Sequence, residues 1–311
     1  MAAQDRGPLG RLRSLGRSAL GLDMLLPDDF KVRMQSESVW RDTPVVDMAL
    51  AHQEARPERS HLRFTLLQAR SEADPAREHE HACFSARLGV SPDQLRCVSI
   101  FRDTLTDLDL SDTHAILVGG AGQYSVLDDL DDVRDFVSYI AWLASSDSTA
   151  TLPVFASCFG FQALVMGMGG EVIADEPNAE VGTYTLSLKE DGARDQLFGT
   201  LPPRFHAQLG HKDRATCLPE GLVDIAGSER APYQAVRVVG RPQFATQFHP
   251  ELTAADNRHR FLRYMKEYGR LFGEAAAKER LDSHMPSPEV NNLMELFVSR
   301  WVMPHAAGDV P

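Results

Sequence analysis

The alternation of apolar and polar positions becomes regular from residue 62 onward. Residues 62–68 (Leu-Arg-Phe-Thr-Leu-Leu-Gln) form an apolar run of strand length, and residues 95–101 form a second. Between them, residues 76–88 predict a helix that Gly89 stops. Residues 115–118 are a short apolar run broken by Gly119 and Gly120. Residues 130–145 place Val133, Phe136, Val137, Ile140 and Leu143 at helical spacing, which predicts an amphipathic helix. Residues 152–156 are apolar again and lead through Cys158 into a predicted helix over 162–168. Strands alternating with helices at this rhythm predict an α/β fold, with a mostly parallel central sheet covered by helices on both faces.

The rhythm changes between Glu171 and Gln247. Residues 182–188, 223–226, 233–239 and 244–248 read as short strands separated by turns, an antiparallel excursion that returns to the main sheet. Residues 256–272 predict a helix. Ser287-Pro288-Glu289 then reads as an N-cap followed by proline at the first helical position. Val290, Leu293, Met294, Phe297 and Trp301 follow on one apolar face, so this last helix is expected to dock on the body. These patterns divide the chain into an N-terminal extension (1–61), an α/β domain (62–272) and a C-terminal helical extension (273–311).

The 311-residue chain carries a formal net charge of −12, which disfavours nucleic-acid and anionic-membrane partners, since both need a basic patch. No apolar run reaches the roughly 18 residues of a membrane-spanning helix. Cys83, Cys97, Cys158 and Cys217 are scattered without a CxxC pair, so neither a metal cluster nor a disulfide framework is expected. Free thiols suit a reducing, cytoplasmic compartment. Residues 1–26 carry Arg6, Arg11, Arg13 and Arg17 among Leu, Ser, Gly and Ala, and read either as a loosely docked arm or as an organelle transit peptide. No cofactor is implied.

The chemistry concentrates in three segments. In Pro153-Val-Phe-Ala-Ser-Cys158-Phe-Gly-Phe-Gln162 an apolar strand ends, one reactive residue follows, and a helix begins. A nucleophile at such a turn stands exposed above the sheet on strained backbone, and needs small neighbours such as Ala156, Ser157 and Gly160. The helix N-terminus favours the thiolate, and the Phe159 N–H is free to serve an oxyanion hole. In Phe244-Ala-Thr-Gln-Phe-His249-Pro250-Glu251 a strand delivers His249 at its end. Glu251 lies close enough to hold the imidazole through its far nitrogen, the nucleophile–base–orienter arrangement of covalent catalysis. Gly119-Gly120-Ala121-Gly122, directly after a strand, is suited to turn a second amide inward, from Gly120 or its neighbour. It lacks the GxxxxGK[ST] pattern of a phosphate loop. Cys83, Cys97 and Cys217 read as buried structural cysteines.

Together these segments resemble the class I, or triad, glutamine amidotransferases. The likeness is strongest to the amidotransferase domain of GMP synthase and to its stand-alone relatives, which include γ-glutamyl peptidases. It runs over residues 62–268 and includes Gly210-His211-Lys212-Asp213, followed by Leu218-Pro219, which looks like the family's loop ahead of the final strands. The resemblance implies attack by Cys158 on the γ-amide of glutamine or of a γ-glutamyl compound, a glutamyl thioester, and hydrolysis by water. It implies Cys158, His249 and Glu251 as the triad and Gly120 and Phe159 as oxyanion donors. Gly119, Gln162 and Tyr184 are implied near the substrate. Two positions depart from the family: Ala156 replaces the first glycine of Gly-x-Cys-x-Gly, and Ala121 stands where proline is common. Alanine at 156 requires a negative φ there.

No SGG-type loop of an ATP-pyrophosphatase domain is present. The resemblance therefore implies either a hydrolase acting alone or an amidotransferase subunit that supplies ammonia to a separate synthetase. A catalytically silent binding protein on the same fold is the alternative outside enzymes. Glu78-His79-Glu80-His81 resembles a metal cluster but reads as a solvated helix face, and His211 as a polar loop residue. Gly167-Met-Gly-Gly170 reads as a helix C-cap.

Overall fold

The structure, a computed structural model, describes residues 56–309. The readings of residues 1–26 and of most of the 1–61 extension lie outside the described residues.

The first half of the fold comprises β1 (Phe64–Gln68), α1 (Ala76–Leu88), β2 (Leu95–Ser99), β3 (Ala115–Val118), α2 (Asp131–Ser145), β4 (Val154–Ser157) and α3 (Phe159–Gly167). Then come β5 (Glu171–Ala174), β6 (Glu180–Leu188), α4 (Glu190–Arg194), β7 (Arg204–His211), β8 (Asp213–Cys217), β9 (Leu222–Gly227), β10 (Ala235–Val238) and β11 (Gln243–Thr246). The chain closes with α5 (Ala254–Arg263), α6 (Met265–Phe272), α7 (Glu274–Asp282), α8 (Pro288–Phe297) and α9 (Met303–Ala306).

The main sheet has the order β2-β1-β3-β4-β11-β10-β9-β6-β7. Its half from β2 to β11 is parallel, and its wing from β10 to β7 is antiparallel. β5 and β8 form a separate antiparallel ribbon. Side chains alternate between two cores, as the two-residue period of a strand requires. Leu66, Leu117, Phe155 and Phe244 enter one core with Phe84 and Leu88 of α1 and Val290, Leu293, Met294 and Phe297 of α8. Leu67, Val118, Ala156 and Ala245 enter the other with Val133, Phe136, Ile140 and Leu143 of α2. A sheet buried on both faces explains why its strands read as continuous apolar runs.

Several elements match their sequence signals. α1 ends at Gly89, whose φ of 64° is the left-handed cap that glycine adopts without strain. α8 docks its apolar seam as expected, and Trp301 continues that seam through a π-helical turn, Val298–Val302. Ser287 precedes α8, but its hydroxyl accepts from Gln208 Nε2 at 3.1 Å rather than capping the helix.

Other expectations are corrected. The single helix expected over 256–272 divides at Tyr264 into α5 and α6. Cys97 and Cys217 are exposed rather than buried, because Cys97 lies on β2, the edge strand of the sheet, and Cys217 is the last residue of β8, whereas Cys83 is buried. His211 ends β7 rather than a loop, and is buried with its Nε2 3.2 Å from Glu180 Oε2. Among the described residues no helix is long and apolar enough to cross a membrane.

Candidate active site

β3, β4 and β11 are adjacent parallel strands, so their C-terminal ends open on one edge of the sheet. That edge is where α/β sheets carry their ligand sites. Gly119 and Gly120 leave β3 there, Cys158 leaves β4, and His249 follows β11.

Cys158 has φ 52° and ψ −97°, and is the sole non-glycine residue with positive φ among the described residues. An L-residue held there stores about 1–3 kcal/mol of backbone strain. The surroundings enforce it: the Cys158 N–H donates to the Thr246 carbonyl at 2.7 Å, and the Cys158 carbonyl accepts from the Gln162 N–H at 3.1 Å. A side chain at Gly160 would meet Val118 Cγ1 at 2.6 Å and Ala156 Cβ at 2.9 Å, so the turn closes only over glycine. Ala156 itself sits in β4 without a positive φ, which lets it replace the family's glycine. Phe159 opens α3, and its N–H belongs to the first turn, which has no carbonyl within the helix to bond.

His249 and Glu251 lie beside this turn. The His249 Nδ1–H donates to Glu251 Oε1 at 2.6 Å, which turns the other ring nitrogen toward the Cys158 sulfur. Burial opposes a charged ring, yet the Glu251 carboxylate and the Cys158 sulfur outweigh it and push the imidazole up to about 9. Burial also opposes the Glu251 charge, but the His249 ring and the Arg260 guanidinium hold the carboxyl below its usual range. The arrangement can deliver a thiol to an electrophilic carbon and move a proton between sulfur, leaving group and water.

The neighbouring candidates divide. Gly120 lies against the pair: a side chain there would meet His249 Cε1 at 2.8 Å. Its N–H, however, donates to Glu80 Oε1 at 3.2 Å, so the amide expected to be free for an oxyanion is already bonded. Gly119 packs on the same carboxylate, where a Cβ would fall 2.5 Å from Glu80 Cδ. Glu80 is fully buried and also accepts from Gln68 Nε2 at 3.1 Å and Arg70 Nη2 at 2.9 Å. The charged run on α1 is therefore not simply a solvated face. Gln162 is buried and donates to the Asp213 carbonyl at 2.9 Å and to Gln247 Oε1 at 3.2 Å. Gln247 Nε2 in turn reaches the Cys158 sulfur at 3.6 Å. Tyr184 packs against the core shared with α8, and no hydrogen bond joins it to Cys158 or His249.

Sequence reasoning missed Gln247 and Arg260, and read Glu80 as part of a solvated helix face. Gln247 carried a signal, since it lies two residues before His249 and so on the same side of an extended chain. The Gly120–Glu80 and Arg260–His79 bonds carried none, because they join positions 40 and 181 residues apart.

His79, Cys83 and Asp256 offer ligand atoms within 4.8 Å of one another. The Arg260 Nε–H donates to His79 Nδ1 at 3.2 Å, which obliges Nε2 to carry the neutral ring's proton. The nitrogen facing Cys83 and Asp256 is thus a donor, and a metal-bound histidine would need the opposite arrangement. Burial, with Arg260 assisting against the pull of Asp256, keeps His79 below its ordinary pKa.

The sequence profile of class-I glutamine amidotransferases matches residues 85–266, more than half of the chain. The chain belongs to the class-I glutamine amidotransferase family. It is 38% identical over 102 residues to the glutamine-hydrolyzing GMP synthase of Thermosipho africanus, covering 33% of this chain and 19% of that protein. It is 31% identical over 114 residues to one subunit of the glutamine-hydrolyzing GMP synthase of Methanocaldococcus jannaschii, covering 37% of this chain and 58% of that subunit. The chain therefore spans about a fifth of the first relative and under two thirds of the second. In fold it resembles a glutamine amidotransferase from Thermotoga maritima (TM-score 0.54, 18% identity, covering 78% of this chain and 98% of that one). It also resembles one from Methylobacillus flagellatus (TM-score 0.52, 20% identity, covering 81% and 96%).

Proposed function

We propose that this amidotransferase hydrolyses the γ-amide of glutamine, or of a γ-glutamyl compound, through a glutamyl thioester on Cys158. The observation that carries the reading is the strained Cys158 turn facing a histidine whose far nitrogen is held by Glu251 at 2.6 Å.

In this reading the Cys158 sulfur attacks the γ-carbonyl carbon, and the oxyanion accepts from the Phe159 N–H. His249, charged and steadied by Glu251, gives its proton to the departing amine. The neutral ring then takes a proton from water, which attacks the thioester and frees glutamate. Gly120 supplies a second donor only when its N–H exchanges Glu80 for the oxyanion. Gly119, Gln162 and Tyr184 remain the proposed substrate-side residues; the hydrogen bonds of Gln162 support a role in holding Gln247 against the sulfur. In the same reading residues 62–272 are the amidotransferase unit, 273–311 are an extension that packs on it, and 1–61 are an N-terminal extension.

A second reading is favoured by the likeness to a separate subunit of GMP synthase: the chain supplies ammonia to a distinct synthetase. A silent binding protein is disfavoured, since binding alone gives no reason to keep a strained cysteine beside a histidine–glutamate pair. The test is hydrolysis of L-glutamine and of a γ-glutamyl peptide by the purified chain, with Cys158→Ala as the blank. Glutamate release that Cys158→Ala abolishes supports the reading, and the preferred substrate names the leaving group. Activity that survives in Cys158→Ala sinks it.

A further inference from the structure

We infer that Arg260 is the positioning residue for Glu251, fixing the carboxylate that orients His249. The inference rests on the proposed function and adds a residue to it.

Glu251 is fully buried and holds His249 through Oε1 alone, while its Oε2 has no hydrogen-bond partner among the described residues. A carboxylate anchored by one oxygen can turn about its last bond and lose the ring. Arg260 Nη1 stands 3.8 Å from that same Oε1, on α5, which begins three residues after Glu251. The guanidinium is held through one nitrogen: its Nε–H donates to His79 Nδ1 at 3.2 Å, its buried Nη2 has no hydrogen-bond partner among the described residues, and His79 Nε2 lies 3.5 Å from Asp256 Oδ1. Asp256 closes the capping box of α5 with Thr253. The titratable and charged groups around the pair are His249 and Cys158 on the substrate side, Arg70 after β1, His79 and Cys83 from α1, Asp256, His259 and Arg263 from α5, Tyr264 at the α5–α6 junction and Tyr268 from α6. With His79 neutral, Arg260 is the cation that shares Glu251 with His249. It keeps Glu251 ionised and aimed.

The test compares Arg260→Gln and Arg260→Lys with the wild type in glutamine hydrolysis across pH, alongside thermal unfolding. Arg260→Gln is expected to lower kcat about tenfold with KM within about twofold, since orientation acts on the reacting state rather than on binding. The acid limb of its pH profile should move to higher pH, because Glu251 loses a cation. Arg260→Lys, which keeps the charge, should recover most of the rate. An unchanged kcat and acid limb in Arg260→Gln overturns the inference, as does equal loss in both variants with the wild-type limb. Should Arg260→Gln not fold, His79→Phe withdraws the anchor instead, and an unmoved limb there is equally fatal. If the wild type hydrolyses neither substrate, the proposed function fails separately. The pH dependence of Cys158 alkylation by iodoacetamide, which needs no substrate, then reads the same set of groups: a shift in Arg260→Gln sustains the inference and none overturns it.

Discussion

At the scale of single residues, the site is built by strain and by ion pairing. Cys158 occupies φ 52°, where glycine is at ease and other residues are not. Cys158→Gly should therefore be more stable than Cys158→Ala by about 1 kcal/mol, measured by urea unfolding, though both lack the thiol. Gly160→Ala forces a methyl to within 2.6 Å of Val118 Cγ1, and should cost about 1–3 kcal/mol while displacing the nucleophile. The pH dependence has a defined sign. His249 gains protons more readily in the folded chain, its pKa rising from the ordinary 6.5 to about 9. Its contribution to stability is complete below about 6.5 and is lost as pH rises through about 9. Glu251 is depressed, so its contribution is present above the usual carboxylate range and is lost in acid. The melting temperature should fall between neutral pH and about pH 9.5 in the wild type, and fall less in Glu251→Gln, whose ring has lost its carboxylate. Equal alkaline slopes in the two proteins would contradict the pairing. The meeting of Cys158, His249 and Glu251 at one edge of the sheet was legible in the sequence because each is announced by its immediate neighbours: a strand before, a helix or proline after. The bond from the Gly120 amide to Glu80 was not legible, since it joins positions forty residues apart across a packed helix.

At the scale of elements, α8 is a structural part of the site although it lies on the opposite side of the sheet from α2. Phe297 stands edge-on to Phe155 at 5.5 Å and to Phe244 at 6.1 Å, and Trp301 meets Phe244 at 4.8 Å. Phe155 and Phe244 belong to β4 and β11, the strands that carry Cys158 and lead to His249. Phe297→Ala should cost about 3–5 kcal/mol in urea unfolding, and should lower kcat because both strands lose a shared support. A variant with full stability would contradict this account of the core. The docking of α8 was legible because Val290, Leu293, Met294 and Phe297 repeat at helical spacing. The break at Tyr264 was not, since both flanking segments have helical composition and no proline or glycine stands at Tyr264, where the backbone leaves the helix at φ −100° and ψ 19°.

At the scale of the whole molecule, the parallel half of the sheet could be read from its alternating runs of strand and helix. The wing was harder. β7 alternates Phe205, Ala207 and Leu209 with His206, Gln208 and Gly210, but Gln208 is buried and its carbonyl accepts from the His249 N–H at 2.9 Å. A buried polar strand position disguises the apolar face that pattern reading depends on. That bond also shows what the antiparallel excursion does: β7 returns to brace the histidine after β11, so the wing is part of the site. The account as a whole stands on a covalent intermediate at one sulfur. The most direct measurement is intact-protein mass spectrometry of the wild type and Cys158→Ala after acid quench during glutamine turnover, followed by peptide mapping. The account predicts the mass of one glutamyl group on the peptide containing Cys158, absent from Cys158→Ala. Continued glutamate release by Cys158→Ala, or a glutamyl adduct on any other residue, would contradict it.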